Sequence, residues 1–181
     1  QLDNQGTVSL PYDLTLAQAS AAHLNSGTIT TTGTADFALV QSGTTPSFTN
    51  TGTITLAAGR TMSVSGGTLD LSAGLVAGST AFLTTTLAPT VRFTTATVQP
   101  RIGFSAGTVL PDPVVIPAND SLGIYTGTFA PPSLTNNGRL FLEGNTVLTT
   151  ALTTGPGSLL RVRGTNTTSA ANVTITNGFT N

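Results

Sequence analysis

The chain has 181 residues, 7% of them charged, a net charge of −1, and neither cysteine nor lysine. Near-neutrality without a lysine- and arginine-rich cluster excludes a binder that works by neutralising nucleic-acid phosphates. The missing cysteines exclude disulfides, zinc thiolate sites and thiol catalysis together.

With 38 threonines and 38% apolar residues, the composition favours pleated, half-buried strands over helices or disorder. The chain reads as all-β. No apolar run approaches the roughly 20 residues that span a bilayer. No basic leader follows Gln1, so the sequence reads as a mature chain or an excised piece.

From the N-terminus, one element recurs: Asn-x-Gly with an apolar residue two positions later. It reads Asn4, Gly6, Val8; then Asn25, Gly27, Ile29; then Asn50, Gly52, Ile54; and finally Asn136, Gly138, Leu140. The intervals between the asparagines are 21, 25 and 86 residues, the last close to four times 21.5. Weaker copies sit at Gly67-Thr68-Leu69, Gly107-Thr108-Val109 and Gly127-Thr128-Phe129, with an echo at Asn177-Gly178-Phe179. Asn and Gly tolerate left-handed backbone, so each copy predicts a sharp corner. Stacked corners predict an amide ladder through Asn4, Asn25 and Asn50.

Between the first two copies lies His23, the only histidine. Without a second His or a Cys it cannot build an ordinary metal site, and it is expected to be exposed or stacked. After each corner the pattern turns to period two: Ile54 and Leu56 share one face, Thr53 and Thr55 the other. In the third repeat, strands are expected at 53–56, 61–65 and 68–71, with bends at 57–60 and 65–67. Three short strands and three bends in about 21 residues describe one coil of a parallel β-helix. The alternative is an antiparallel β-sandwich, which also turns every 8–12 residues.

Residues 76–132 hold seven of the ten prolines. Proline is excluded from central strands, so these should mark corners or, at Pro111–Pro117, an excursion from the coil. Gly103-Phe-Ser105-Ala-Gly107 matches the nucleophile elbow by letter. The helix and downstream histidine that motif requires are missing, so Ser105 reads as a turn or outward residue. Gly66-Gly67-Thr-Leu-Asp70 and the pair Asp112 and Asp120 are weak calcium-like patterns. Arg161 and Arg163 flank Val162 on one strand face, where two solvated arginines are the ordinary reading and a contact to an anionic partner is the alternative. Thr-x-Thr at 28–30, 53–55 and 174–176 suggests an ordered hydroxyl array of the kind that organises ice. Sugar stacking finds no Trp, only Tyr12 and Tyr125, and eight phenylalanines that read as core.

The runs Asn25-Ser-Gly-Thr-Ile-Thr30, Asn50-Thr-Gly-Thr-Ile-Thr-Leu56 and Asn136-Asn-Gly-Arg-Leu-Phe-Leu142 resemble the repeats of autotransporter passenger domains and filamentous-haemagglutinin-like adhesins. The resemblance covers residues 1–75 and 133–181. It implies a right-handed parallel β-helix outside a bacterial cell, serving as stalk or adhesin. Neither an Asn-Pro secretion motif of the two-partner type nor barrel-forming strands accompany it.

The expectations are therefore a single β-solenoid over residues 1–181 and an extracellular or bacterial cell-surface location. Its role is structural or adhesive, with self-assembly through open solenoid ends. The alternative is a ligand-binding module for glycan or ice. Partners are the chain itself, neighbouring repeats, and host or environmental glycans. No catalysis, cofactor, metal, nucleic acid or membrane insertion is expected.

Overall fold

The computed structural model describes residues 1–164 and 170–180. Residues 165–169 and Asn181, counted in the single solenoid read from the sequence, lie outside it. The first coil is β1 (Asp3–Asn4), β2 (Thr7–Leu10) and β3 (Leu14–Leu16); the second is β4 (Ala22–Asn25), β5 (Thr28–Thr31) and β6 (Phe37–Val40). Next come β7 (Ser47–Asn50), β8 (Thr53–Thr55) and β9 (Thr61–Ser65), then β10 (Thr68–Asp70), β11 (Leu75–Ala77) and β12 (Phe82–Thr86). The middle holds β13 (Thr90–Arg92), β14 (Arg101–Phe104), β15 (Val114–Ile116) and the long β16 (Ser121–Phe129). The last turns are β17 (Leu134–Asn136), β18 (Arg139–Glu143), β19 (Asn145–Leu148), β20 (Leu152–Thr154), β21 (Leu159–Arg163), β22 (Asn172–Ile175) and β23 (Phe179–Thr180).

Every strand pairing among the described residues is parallel, and each strand bonds to its counterpart one coil away. The chain is a parallel β-solenoid of about eight turns, and the antiparallel sandwich is ruled out. The strands of the third repeat fall where period two places them, at 53–55, 61–65 and 68–70. The proline-rich middle continues the same stack. Pro89, Pro100 and Pro113 each directly precede a strand and Pro117 directly follows one, because a residue without an N–H fits a corner and not a ladder. The stretch from Pro111 to Pro117 is no excursion, since Val114–Ile116 pairs in register with Leu134–Asn136.

Alternation sends every second side chain inward, and stacking lines those side chains into columns. One column runs the length of the third sheet: Leu14, Phe37, Met62, Leu83, Ile102, Ile124, Leu142 and Val162. A second joins Val8, Ile29, Ile54 and Val76 and reaches Val98 through an isolated bridge. Phe104 stacks on Phe129 with ring centroids 5.4 Å apart. His23 occupies the position that Phe48, Leu69 and Val91 take in later coils. It is buried, tilted against Phe48, and its Nδ1 accepts the Leu2 N–H at 2.9 Å. Burial, assisted by the N-terminal ammonium, lowers its pKa from 6.5 and so favours the neutral ring.

The asparagine ladder forms as expected at three corners. Asn4 Nδ2 donates to Asn25 Oδ1 at 2.7 Å, and Asn25 Nδ2 donates to Asn50 Oδ1 at 2.7 Å. Each amide also donates to the carbonyl that opens the next strand one coil on: Thr28, Thr53 and Leu75.

Asn136 stands at a different corner of the coil, where it pairs with Ile116 and Thr154. It repeats the same chemistry there, donating to Leu159 O at 3.1 Å and accepting the Gly138 N–H at 3.1 Å. The role expected of glycine needs correction. None of Gly6, Gly27, Gly52 and Gly138 adopts positive φ. Gly27, Gly52 and Gly138 are required by close stacking instead: a Cβ on any of them would lie 2.1 Å from a carbonyl oxygen of the preceding coil.

Asn25 is fully buried and serves both neighbours, so Asn25→Ala leaves buried amide groups of two coils unpaired. Urea unfolding should show a loss of about 2 kcal/mol. Asn4→Ala, which removes one rung at the margin of the ladder, should cost less.

Candidate functional site

Outward positions also stack into columns, and on most of the surface these are plain. On the second sheet Thr7, Thr28 and Thr53 stand in one row and Ser9, Thr30 and Thr55 in the next. The array lasts three coils, because Leu75 and Ala77 take the following places. Thr174 and Thr176, the third Thr-x-Thr of the sequence, lie outside it: Thr174 pairs with Val147.

The third sheet differs. Its outer column reads Phe82, Arg101, Gly123, Phe141 and Arg161, one residue per coil. Beside it Glu143 stands in register with Arg163. Four of the six arginines (101, 139, 161 and 163) occupy this face with Glu143, and Asp120 stands at its edge, while the other five carboxylates share the remaining two arginines. The chain is slightly acidic as a whole, and its cationic excess is gathered here.

Gly123 explains the shape. With no side chain at this outward position, Arg101 lies across the gap; a Cβ on Gly123 would come 3.2 Å from Arg101 Cγ. Arg101 Nη1 thereby reaches Glu143 Oε2 at 2.9 Å, although 42 residues separate them in sequence. From the far side, Arg163 Nε donates to Glu143 Oε1 at 2.7 Å, and its Nη2 contacts the same oxygen. Glu143 is 1% exposed, and the arginine side chains are 29% and 44% exposed. A buried carboxylate is thus held between two guanidiniums that reach solvent.

Both guanidiniums also cover aromatic rings: Arg101 lies 4.6 Å from the Phe82 centroid and Arg163 5.6 Å from that of Phe141. A bulge supplies the third ring. Ile102 pairs with Ile124 but Gly103 pairs with Thr126, so Tyr125 is the extra residue. Tyr125 folds over Gly103, where a Cβ would come within 2.7 Å of its ring, and meets Phe82 edge-on at 5.1 Å. Burial raises the Tyr125 pKa, and the Arg101 charge opposes that shift.

The gap at Gly123 is a cleft of about 300 Å³. Arg101, Phe141, Glu143 and Arg163 form one end, with Gln99 and Ser121 towards the other. Beside it lies a second hollow of about 340 Å³, which shares Ser79, Gln99 and Ser121 as walls and is bordered by Asp120. Asp120 Oδ1 accepts the Ser121 N–H at 2.8 Å; its Oδ2 is buried without a hydrogen-bond partner.

The other sequence candidates fall elsewhere. Ser105 sits at a corner, its hydroxyl within 3.3 Å of Thr85 Oγ1 and 3.1 Å of Thr108 Oγ1, with no base beside it. Asp70 closes a local turn onto Ser72, and Asp112 pairs with Arg92 at 3.6 Å. Among the described residues, no group of three His, Cys, Asp or Glu side chains could hold a metal. Arg163 lines the cleft and bonds to Glu143 of the same chain, and Arg161 stands outward on the same strand.

Arg101, Gly123, Phe141 and Glu143 were not singled out by motif. Reading every phenylalanine as core also fails, since Phe82 and Phe141 face outward and Phe179 is 50% exposed. The available signal was a glycine inside a strand, which marks close approach. No known protein family, curated protein or solved structure matches the chain.

Arg101→Met with Arg163→Met would leave a buried carboxylate unpaired and should cost about 3 kcal/mol. Glu143→Gln leaves cations that reach solvent and should cost about 1 kcal/mol. Chemical denaturation of both variants checks that order.

Proposed function

We propose that this chain is a structural or adhesive segment of an extracellular or bacterial cell-surface protein: a stiff rod that presents the cleft on its third sheet to a partner. The observation that carries the reading is the break at Gly123. The second sheet's outward columns are threonine-rich and the first sheet's carries Asp3, Asp70 and Arg92 without a ring, whereas this column gathers arginines, aromatic rings and a hollow. The composition supports export, being rich in Thr, Asn and Gly and free of cysteine. We read the chain as non-catalytic, because Ser105 has no base and the Glu143 carboxylate is committed to two guanidiniums. The edges of β1, β2 and β3 each pair with one strand only. A further coil, from a second copy or a neighbouring repeat, would dock there and lengthen the rod.

Adhesion of beads coated with glycans, matrix protein or whole cells to the immobilised chain tests the reading, with size exclusion run alongside. At least one coat should be retained, and Phe141→Ser should reduce retention about tenfold while leaving the melting temperature within a few degrees. Retention of no coat, or retention indifferent to Phe141, would overturn it. Elution as higher-order species supports docking of coils between copies, and elution as a monomer at micromolar concentration removes that part.

A further inference from the structure

We infer that the cleft takes an acidic saccharide, its anionic group on Arg101 and Arg163, its ring against Phe141, and a hydroxyl on Asp120. This rests on the adhesive reading above and names the ligand for the same site.

The donors come first. Arg101 spends Nη1 on Glu143, and Arg163 spends Nε and Nη2. Arg101 Nε and Nη2 and Arg163 Nη1 have no partner among the described residues. A guanidinium presents its donors in a fixed fork that suits a carboxylate or sulfate. Glu143 neutralises only one of the two cations, so the end of the cleft keeps a positive excess. Arg139 and Arg161, both exposed on the same face, add to it.

The acceptor decides between anions. Asp120 borders the second hollow, and a carboxylate can only accept. A small inorganic anion can answer the arginines but cannot also lie against Asp120, which stands three residues before Gly123, about 10 Å along the chain. A sugar acid supplies both, an anion at one end and hydroxyl donors a ring or two away. The hydroxyls and amide of Ser79, Gln99 and Ser121 lie between, where further hydroxyls would fall. The Phe141 side chain gives the apolar face of a ring a wall to pack on. Each of the two neighbouring hollows lies within the size range of small-ligand sites.

Gly123 is the position to test. Its φ is ordinary and its place on the strand faces outward, so Gly123→Thr suits a strand and fills the floor by displacing only the flexible Arg101 chain. The probe is a tetrasaccharide of alternating glucuronate and N-acetylglucosamine, titrated calorimetrically against the intact chain. Its carboxyl-reduced form and a sulfated neutral tetrasaccharide are run in parallel.

The acidic tetrasaccharide should bind about tenfold or more tightly than the reduced form, weaken as salt rises, and be lost in Gly123→Thr. Asp120→Asn should weaken it with the fold unchanged. Binding of the sulfated form in place of the carboxylated one keeps the inference and assigns the anion as sulfate. Equal binding of the reduced form, or full binding by Gly123→Thr, overturns it. If no saccharide binds but bead adhesion persists and still depends on Phe141, the acidic-sugar inference falls and the adhesive reading stands. If adhesion is absent as well, both fall.

Discussion

Everything in this structure depends on parallel, in-register hydrogen bonding between one coil and the next. A single coil of three short strands buries too few apolar side chains to offset the entropy of ordering about twenty residues. Its backbone groups gain partners only when another coil lies against it. Stacking therefore sets the rest. Inward residues must be apolar because they stand on apolar residues, as along the column from Leu14 to Val162. Corners must be thin because they pile directly on one another, which is why Gly27 lies against Gly6 and Gly52 against Gly27. A buried amide survives at Asn25 because its neighbours above and below are amides too.

The same constraint makes the cleft. In a stack with one outward residue per coil, a column of side chains has no gaps unless a residue has no side chain. Gly123 is that residue. The void it leaves is bounded by what the adjoining coils put above and below it, Arg101 on one side and Phe141 on the other. The bulge at Tyr125 then turns one extra ring onto the face. Glu143 is buried only because two arginines from different coils close over it. The site is thus assembled from residues far apart in sequence, on a sheet whose stiffness fixes their spacing.

That origin explains what could and could not be read in advance. The coil, its three strands in residues 53–71 and the Asn4–Asn25–Asn50 ladder are local matters of period and corner chemistry, and they stood in the sequence. The position of Asn136 did not. Coil-to-coil offsets among the described strands vary from 18 residues, between Leu122 and Leu140, to 27, between Leu152 and Phe179. A multiple of 21.5 cannot then say at which corner a copy falls. The cleft was hidden for the same reason: seeing that Gly123 faces Arg101 and Phe141 requires the register of three coils and of one bulge. Phe82 and Phe141 were misread as core because hydrophobicity alone does not tell which face of a strand a ring occupies.

The most direct measurement of that register uses the absence of cysteine. Ser121→Cys with Arg139→Cys places two thiols on directly opposed residues of adjacent coils, with Cα atoms about 5 Å apart, within disulfide reach. Ser121→Cys with Phe141→Cys is displaced by two residues, and the separation rises to about 8 Å, beyond that reach. Mild oxidation of the folded proteins, read by mass spectrometry, should close the first pair and leave the second reduced. Closure of the second pair, or of neither, would contradict the stacking from which the cleft is built.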